Sequence, residues 1–349
     1  MVDIETYTHC DFWSKEDRFR RYAHVPSKLL FGKRMEHPVV SIMIPCYKRA
    51  TFLHEAIESA LGQKTNIPFE VVVIDNATDN DALLKIVETF DDPRLSYYRN
   101  EQNIGMSGNW NRCIELAQAG FLCLLHDDDL LCEDWLEEMW RQHEAYPNAA
   151  ALYCDHLTIG AKREHILWQP KESRKTDIIG VHEFYFKQTI NIYGLLFSKE
   201  AAMKTGGIKE EAWPFFDVIF TSQLLYQFGG VPFYHRNLAM YRVAENESLN
   251  PQTQLGFFAY PAVFTDYFHH KMGFVPQWFH RLLRDFRVLD AEGGKLGAED
   301  PAAEPDIRDL EKAELNQQLD IHAHPRIVHW FYRRCSRVFG WYGRRIDKI

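Results

Sequence analysis

Residues 121–134 read FLCLLHDDDLLCED, from Phe121 to Asp134. An apolar run ends abruptly at His126, Asp127, Asp128 and Asp129; two leucines follow, and an acidic stretch opens the next segment. A short apolar run bounded by polar residues has the length of a buried strand. Carboxylates at the carboxyl end of such a strand fall where open α/β sheets bind their ligands. Adjacent like charges repel, which leaves two readings. Either a hard divalent cation sits among the three carboxylates, or they form a solvated turn and the N-cap of the following helix.

The sequence on either side alternates between strand and helix patterns. Val39–Pro45 (VVSIMIP) is a β-rich strand stopped by Pro45. Thr51 can cap a helix whose apolar positions are Leu53, Ala56, Ile57, Ala60 and Leu61. Phe69–Ile74 (FEVVVI) is a second strand, ending in Asp75 and Asn76, and Leu83, Ile86, Val87 and Phe90 make the next helical stripe. Leu95–Tyr98 is a third strand. Asn100–Asn111 (NEQNIGMSGNWN) reads as a loop from its Asn and Gly content. Helical faces follow at Trp110, Cys113, Ile114, Ala117 and, beyond the acidic triplet, at Trp135, Leu136, Met139, Trp140. Ala149–Cys154 is another strand. Strands apolar on both faces, alternating with helices, predict an α/β fold: a mostly parallel sheet flanked by helices.

The second half is less regular. Residues 160–190 read as a polar loop over the site, Tyr193–Ser198 as a strand, and Trp213–Phe216 as an aromatic lead into Asp217 and a helix over 218–228. Pro232–Val243 supplies one or two strands, and aromatic helices begin near Leu249. Residues 293–305 form an exposed linker. The expected organisation is a lead-in at 1–37 that packs on the surface or a partner, a catalytic domain at 38–250, and a helical C-terminal extension at 251–349 with a basic, aromatic tail.

A net charge of −9 argues against nucleic acid as a partner. No apolar run approaches the roughly 20 residues of a membrane span, and the first residues do not read as a signal peptide. Seven cysteines without a Cys-x-x-Cys pair indicate neither a disulfide framework nor a zinc site. The expected compartment is cytoplasmic.

Six segments stand in a telling order: VSIMIPCYKR (40–49), VVVIDNATD (71–79), NIGMSGNWN (103–111), LLHDDDLL (124–131), GLLFSKEAAMKTGG with PFFD (194–217), and YRVAENES (241–248). Together, over roughly residues 38–250, they resemble family 2 glycosyltransferases of the GT-A fold, which is built on a Rossmann-type sheet. The resemblance implies transfer of a sugar, with inversion, from a nucleotide-sugar donor, most simply a UDP-sugar. It places Pro45, Tyr47, Asp75, Asn76 and Asp127 at the nucleotide. Asp128, with Asp129 as a second ligand or a helix cap, would hold Mn2+ or Mg2+. Asp217 is then the general base; the alternative is an ordinary N-cap aspartate.

The physics of these side chains is compatible with those roles. Tyr47 offers a ring face to a base, unless it is only a rim tyrosine, and a carboxylate or amide can bond the base edge. Phe216 stands where the family usually has Glu, and an apolar flank raises the pKa of a neighbouring carboxyl. The family's histidine after the Tyr-Arg pair is missing, so Arg242, or Lys and Arg residues of the loops, become candidate phosphate contacts, and Trp213 is either an acceptor contact or simply core. The absence of Gln-x-x-Arg-Trp argues for single-sugar transfer to a saccharide or lipid-linked acceptor, in bacterial surface polysaccharide or glycolipid assembly. From Arg326 onward seven Lys/Arg face one Asp, interleaved with Trp330, Phe331, Phe339 and Trp341. That tail either lies on the inner face of the membrane or docks on the protein. Two rival readings are a catalytically inactive scaffold and a sugar-phosphate nucleotidyltransferase. The second would want a glycine-rich loop after the first strand, where IPCYKRATFL has no glycine.

Overall fold

This computed structural model describes residues 10–187, 190–244, 251–273 and 275–284, and an 11-stranded sheet organises them. The strands are β1 (Ser27–Gly32), β2 (Val40–Cys46), β3 (Phe69–Asp75), β4 (Leu95–Asn100), β5 (Phe121–Leu124), β6 (Leu130–Leu131), β7 (Ala151–Ile159), β8 (Ile166–Trp168), β9 (Thr176–Ile179), β10 (Leu196–Ser198) and β11 (Val231–Arg242). The helices are α1 (Leu53–Leu61), α2 (Ala82–Val87), α3 (Gly105–Leu116), α4 (Trp135–Ala145), α5 (Val181–Lys187), α6 (Lys199–Lys204), α7 (Phe216–Phe228) and α8 (Pro251–Met272).

The strand order is β1-β4-β3-β2-β5-β10-β7-β11-β6, with β8 on β7 and β9 on β11. β4, β3, β2 and β5 run parallel, as do β7 and β11, and the remaining pairs are antiparallel. The centre of the sheet is buried on both faces: β2 and β3, largely apolar, are buried at every position, while β1 and β8 are mostly exposed. Val40, Ile42 and Ile44 of β2 pack with Leu53 and Ile57 of α1 and Trp135 and Leu136 of α4. Met43, pointing the other way, joins Cys113 and Ile114 of α3, Phe220 of α7 and Phe264 of α8. Pro45 is tolerated inside β2 because β5 pairs with β2 only as far as Met43↔Leu124.

Four local expectations are corrected. Most of Asn100–Asn111 is helix, not loop, since α3 starts at Gly105. Its asparagines have tertiary partners that outbid the local turns they favour when solvated. Asn109 Nδ2 donates to Ile74 O at 3.0 Å, and Asn111 brackets Ile208, donating to its O at 2.8 Å and accepting from its N at 2.7 Å. The stretch 160–190 contains β8, β9 and α5, and none of its described residues lines the cavity described below. Phe12 and Trp13 are 1% and 5% exposed and belong to the core, so the lead-in does not merely rest on the surface. Trp13 stacks on Tyr226 at 4.0 Å and donates to Ser222 Oγ at 3.0 Å. Finally, α1 is entered through Phe52 with no side-chain cap, and Thr51 does not serve. The linker at 293–305, the basic tail and residues 245–248 of the closing motif lie outside the described residues. Among those described, no helix is long and apolar enough to cross a membrane.

Candidate active site

The carboxyl ends of β2, β3 and β5 open into a cavity of about 750 Å³. On one side stands the acidic turn. Leu125 N continues β5 by donating to Met43 O at 2.9 Å, the chain turns with Asp129 N on His126 O at 3.2 Å, and β6 then pairs Leu130 with Met240 of β11. The triplet is thus a turn between two strands. α4 begins only at Trp135, with Asp134 at its N-cap, so the helix-cap reading of the triplet is overturned.

Asp127, Asp128 and Asp129 are 5%, 6% and 1% exposed. Arg49 bridges the first two, Nη2 to Asp127 Oδ1 at 2.6 Å and Nη1 to Asp128 Oδ2 at 2.9 Å. Asp129 accepts from Arg242 N at 2.9 Å and faces His126 Nδ1 at 3.0 Å. Burial pushes the Asp127 carboxyl up to about 7, against the pull of Arg49. It also raises Asp129, opposed by His126. Burial pulls the His126 imidazole down, but Asp129, Asp128 and Asp217 together hold it above its ordinary value. Ligand atoms of His126, Asp128 and Asp129 lie within 4.8 Å of one another, and His126 Nε2 is buried with no hydrogen-bond partner. This donor set fits a divalent ion.

The second wall is the loop after β2 and the end of β3. Tyr47 is 38% exposed, and Lys48 Nζ lies 5.1 Å from its ring centre. Asp75 and Asn76 are engaged internally. Asp75 accepts from Thr78 N and Oγ1, Tyr97 OH and Arg99 Nε, between 2.5 and 2.9 Å. The Asn76 amide donates to Asn103 Oδ1 and Gly105 O and accepts from Asn100 Nδ2 and Ile104 N. All the bonding positions of both side chains are filled. A base edge reading either one has to displace a protein partner, which corrects the expectation of a spare carboxylate or amide there.

The third wall is Trp213–Asp217, whose Trp213–Pro214 peptide is cis. Asp217, the second residue of α7, accepts from Val218 N at 2.8 Å. Burial raises its carboxyl, with the Val218 N–H working against it. Phe216 turns into the core. α8 comes so close that a Cβ on Gly256 would lie 2.6 Å from Pro214 Cδ, and Thr253 of the same helix lines the cavity. The segment read as an appendage therefore completes the site.

Of the residues singled out in the sequence, Pro45, Tyr47, Asn76, Asp127, Asp128, Trp213 and Asp217 line this cavity, while Asp75, Asp129 and Arg242 sit behind it. Arg242 is corrected as a phosphate contact, because its guanidinium is 0% exposed and occupied. It donates to Asp128 O at 2.8 Å and Glu55 Oε2 at 2.8 Å, and it stacks on Phe52 at 4.2 Å. Arg49, His126, Tyr193, Tyr241 and Thr253 were missed as lining residues. His126 adjoins the triplet and was open to notice; the pairing of Arg49 across 78 and 79 residues left no local sign.

A mixed sheet with a parallel β4-β3-β2-β5 centre, an acidic turn at its open end and a carboxylate across the cavity defines a GT-A architecture. The sequence profile of Glycosyl transferase family 2 matches residues 41–244, more than half the chain, and the chain belongs to that family. An uncharacterized protein of Mycobacterium tuberculosis is 24% identical over 210 residues, 54% of this chain and 62% of its own length. The succinoglycan biosynthesis protein ExoO of Rhizobium meliloti is 32% identical over 122 residues, 35% of this chain and 34% of its own. The chain thus spans less than two thirds of these relatives. In structure it is similar to TarS 1–349 of S. aureus, solved with UDP-GlcNAc, with TM-score 0.59 at 14% identity over 88% of this chain and 90% of that one.

Proposed function

We propose that this chain transfers a single sugar from a nucleotide-activated donor, a UDP-sugar, to a hydroxyl of a saccharide or lipid-linked acceptor, with inversion. The observation that carries the reading is one cavity walled by the acidic turn, the Tyr47 ring and Asp217. The donor's base lies against Tyr47 and Pro45, and its diphosphate points toward Asp127 and Asp128. His126, Asp128 and Asp129 are the residues that would hold Mn2+ or Mg2+, and such an ion would offset the negative charge of the departing diphosphate. The imidazole in the set favours Mn2+, since Mg2+ prefers oxygen alone. Asp217, buried enough to be a stronger base than a solvated carboxylate, takes the acceptor's proton as that oxygen attacks the anomeric carbon. Trp213 offers a face to the acceptor ring. Family membership and the likeness of the fold to a protein solved with UDP-GlcNAc support this reading.

The test is Asp217→Asn. Turnover falls by at least about 100-fold, while stabilisation by UDP in thermal shift is unchanged. Normal turnover in this variant rejects Asp217 as the base. We place the reaction at the cytoplasmic face of a membrane, reached through the basic tail. Flotation with anionic liposomes checks that, because the full chain and one ending at Pro325 must differ.

A further inference from the structure

Arg49 reaches the acidic turn from the loop after β2. Lys48 there has φ 60, Arg49 N donates to Tyr47 O at 2.7 Å, and Lys48 N donates to Thr78 Oγ1 at 3.0 Å. This tight turn fixes where the Arg49 side chain starts. The guanidinium then spans Asp127 and Asp128, whose side chains are 6% and 9% exposed, while its own is 39% exposed. A cation held at a cavity's mouth can swing out without disturbing the core. The carboxylate that Nη1 grips is that of Asp128, which belongs to the ligand set of His126, Asp128 and Asp129. A guanidinium and a divalent ion within bonding distance of one carboxylate repel each other strongly.

We propose that Arg49 is a built-in surrogate cation. It neutralises Asp127 and Asp128 while no donor is bound, competes with the metal for Asp128, and leaves when a nucleoside diphosphate offers it another anion. The inference rests on the donor reading above. The planar fork of arginine suits a diphosphate as well as a carboxylate pair. Metal and nucleoside diphosphate therefore bind cooperatively, and by linkage each strengthens the other equally.

The experiment is Mn2+ binding, followed by the EPR signal of free Mn2+ and by calorimetry, with and without UDP or GDP. Wild type binds Mn2+ alone weakly, and at least about tenfold more tightly with saturating nucleoside diphosphate. Arg49→Met binds Mn2+ alone about tenfold more tightly than wild type and loses most of the nucleotide's effect. Arg49→Gln repeats the comparison with a polar side chain, in case the methionine variant does not fold. A folded variant whose Mn2+ affinity equals or falls below that of wild type overturns the proposal. So does Mn2+ binding that survives Asp128→Ala. If wild type binds no nucleoside diphosphate under any metal condition, the donor reading fails, while tighter Mn2+ binding by Arg49→Met still upholds the competition.

Discussion

Phe216 stands edge-on to Trp110, the ring centroids 4.8 Å apart and the planes at 90°. Trp110 in turn stacks on His126 at 5.0 Å. A chain of rings thus runs along the cavity wall from the start of α7 to the acidic turn. Phe216 occupies the place of the family's usual Glu, and here that place is core. Phe216→Ala is expected to lose roughly 3 kcal/mol from the lost transfer and the cavity left behind. Urea denaturation reads this directly, and an unchanged midpoint would show that the ring is not a support for Asp217.

Tyr47 has a partly open ring at the cavity edge, with Lys48 at one face. Base–aromatic stacking is worth about 1–3 kcal/mol. Tyr47→Ala should weaken UDP binding by about tenfold, with little effect on folding, and Tyr47→Phe should bind almost as wild type. Calorimetric titration distinguishes these. Equal affinity in all three proteins would make Tyr47 a rim residue.

Arg242 clips β11 to the acidic turn through its backbone N–H on Asp129 and its side chain on Asp128 O and Glu55. Lysine keeps the charge but cannot make the planar fork. Arg242→Lys is expected to cost about 1–3 kcal/mol, the scale of leaving buried hydrogen-bonding groups such as Asp128 O unsatisfied. Donor affinity should fall only as far as the turn loosens. Full stability with lost nucleotide affinity would restore Arg242 as a ligand contact.

His156 packs against Trp168, Tyr193 and Tyr241, and burial alone lowers its pKa to about 4. In the unfolded chain it takes its proton near the ordinary value of about 6.5. Between those values the unfolded state binds more protons, so stability declines as pH falls from about 6.5 to about 4 and is unaffected above. His156→Phe should flatten that decline. Denaturation midpoints at both ends of the window, measured for both proteins, decide it, and parallel slopes would reject the assignment.

Much of the fold was legible because β2, β3 and β5 are short, largely apolar on both faces and separated by helical stripes. No other arrangement hides both faces of such strands as simply. What escaped depended on partners distant in sequence. Asn109 and Asn111 look like turn residues until Ile74 and Ile208 claim them. Asp75 and Asn76 look available until Tyr97, Arg99, Asn100 and Asn103 fill them. Arg49 was visible in the motif that follows the first strand, but nothing near it in sequence says that its charge ends among carboxylates.

The amide cluster of Asn76, Asn100, Asn103 and Asn109 joins β3, β4 and α3 within the Tyr47 wall. None of these amides gains or gives up a proton in water near neutrality. The opposite wall carries His126 and three carboxylates. Near neutrality one side of the cavity therefore keeps its shape, while the other changes its charge. A shift in pH will retune how strongly an anion is held without resculpting the seat for the ring that rests on Tyr47.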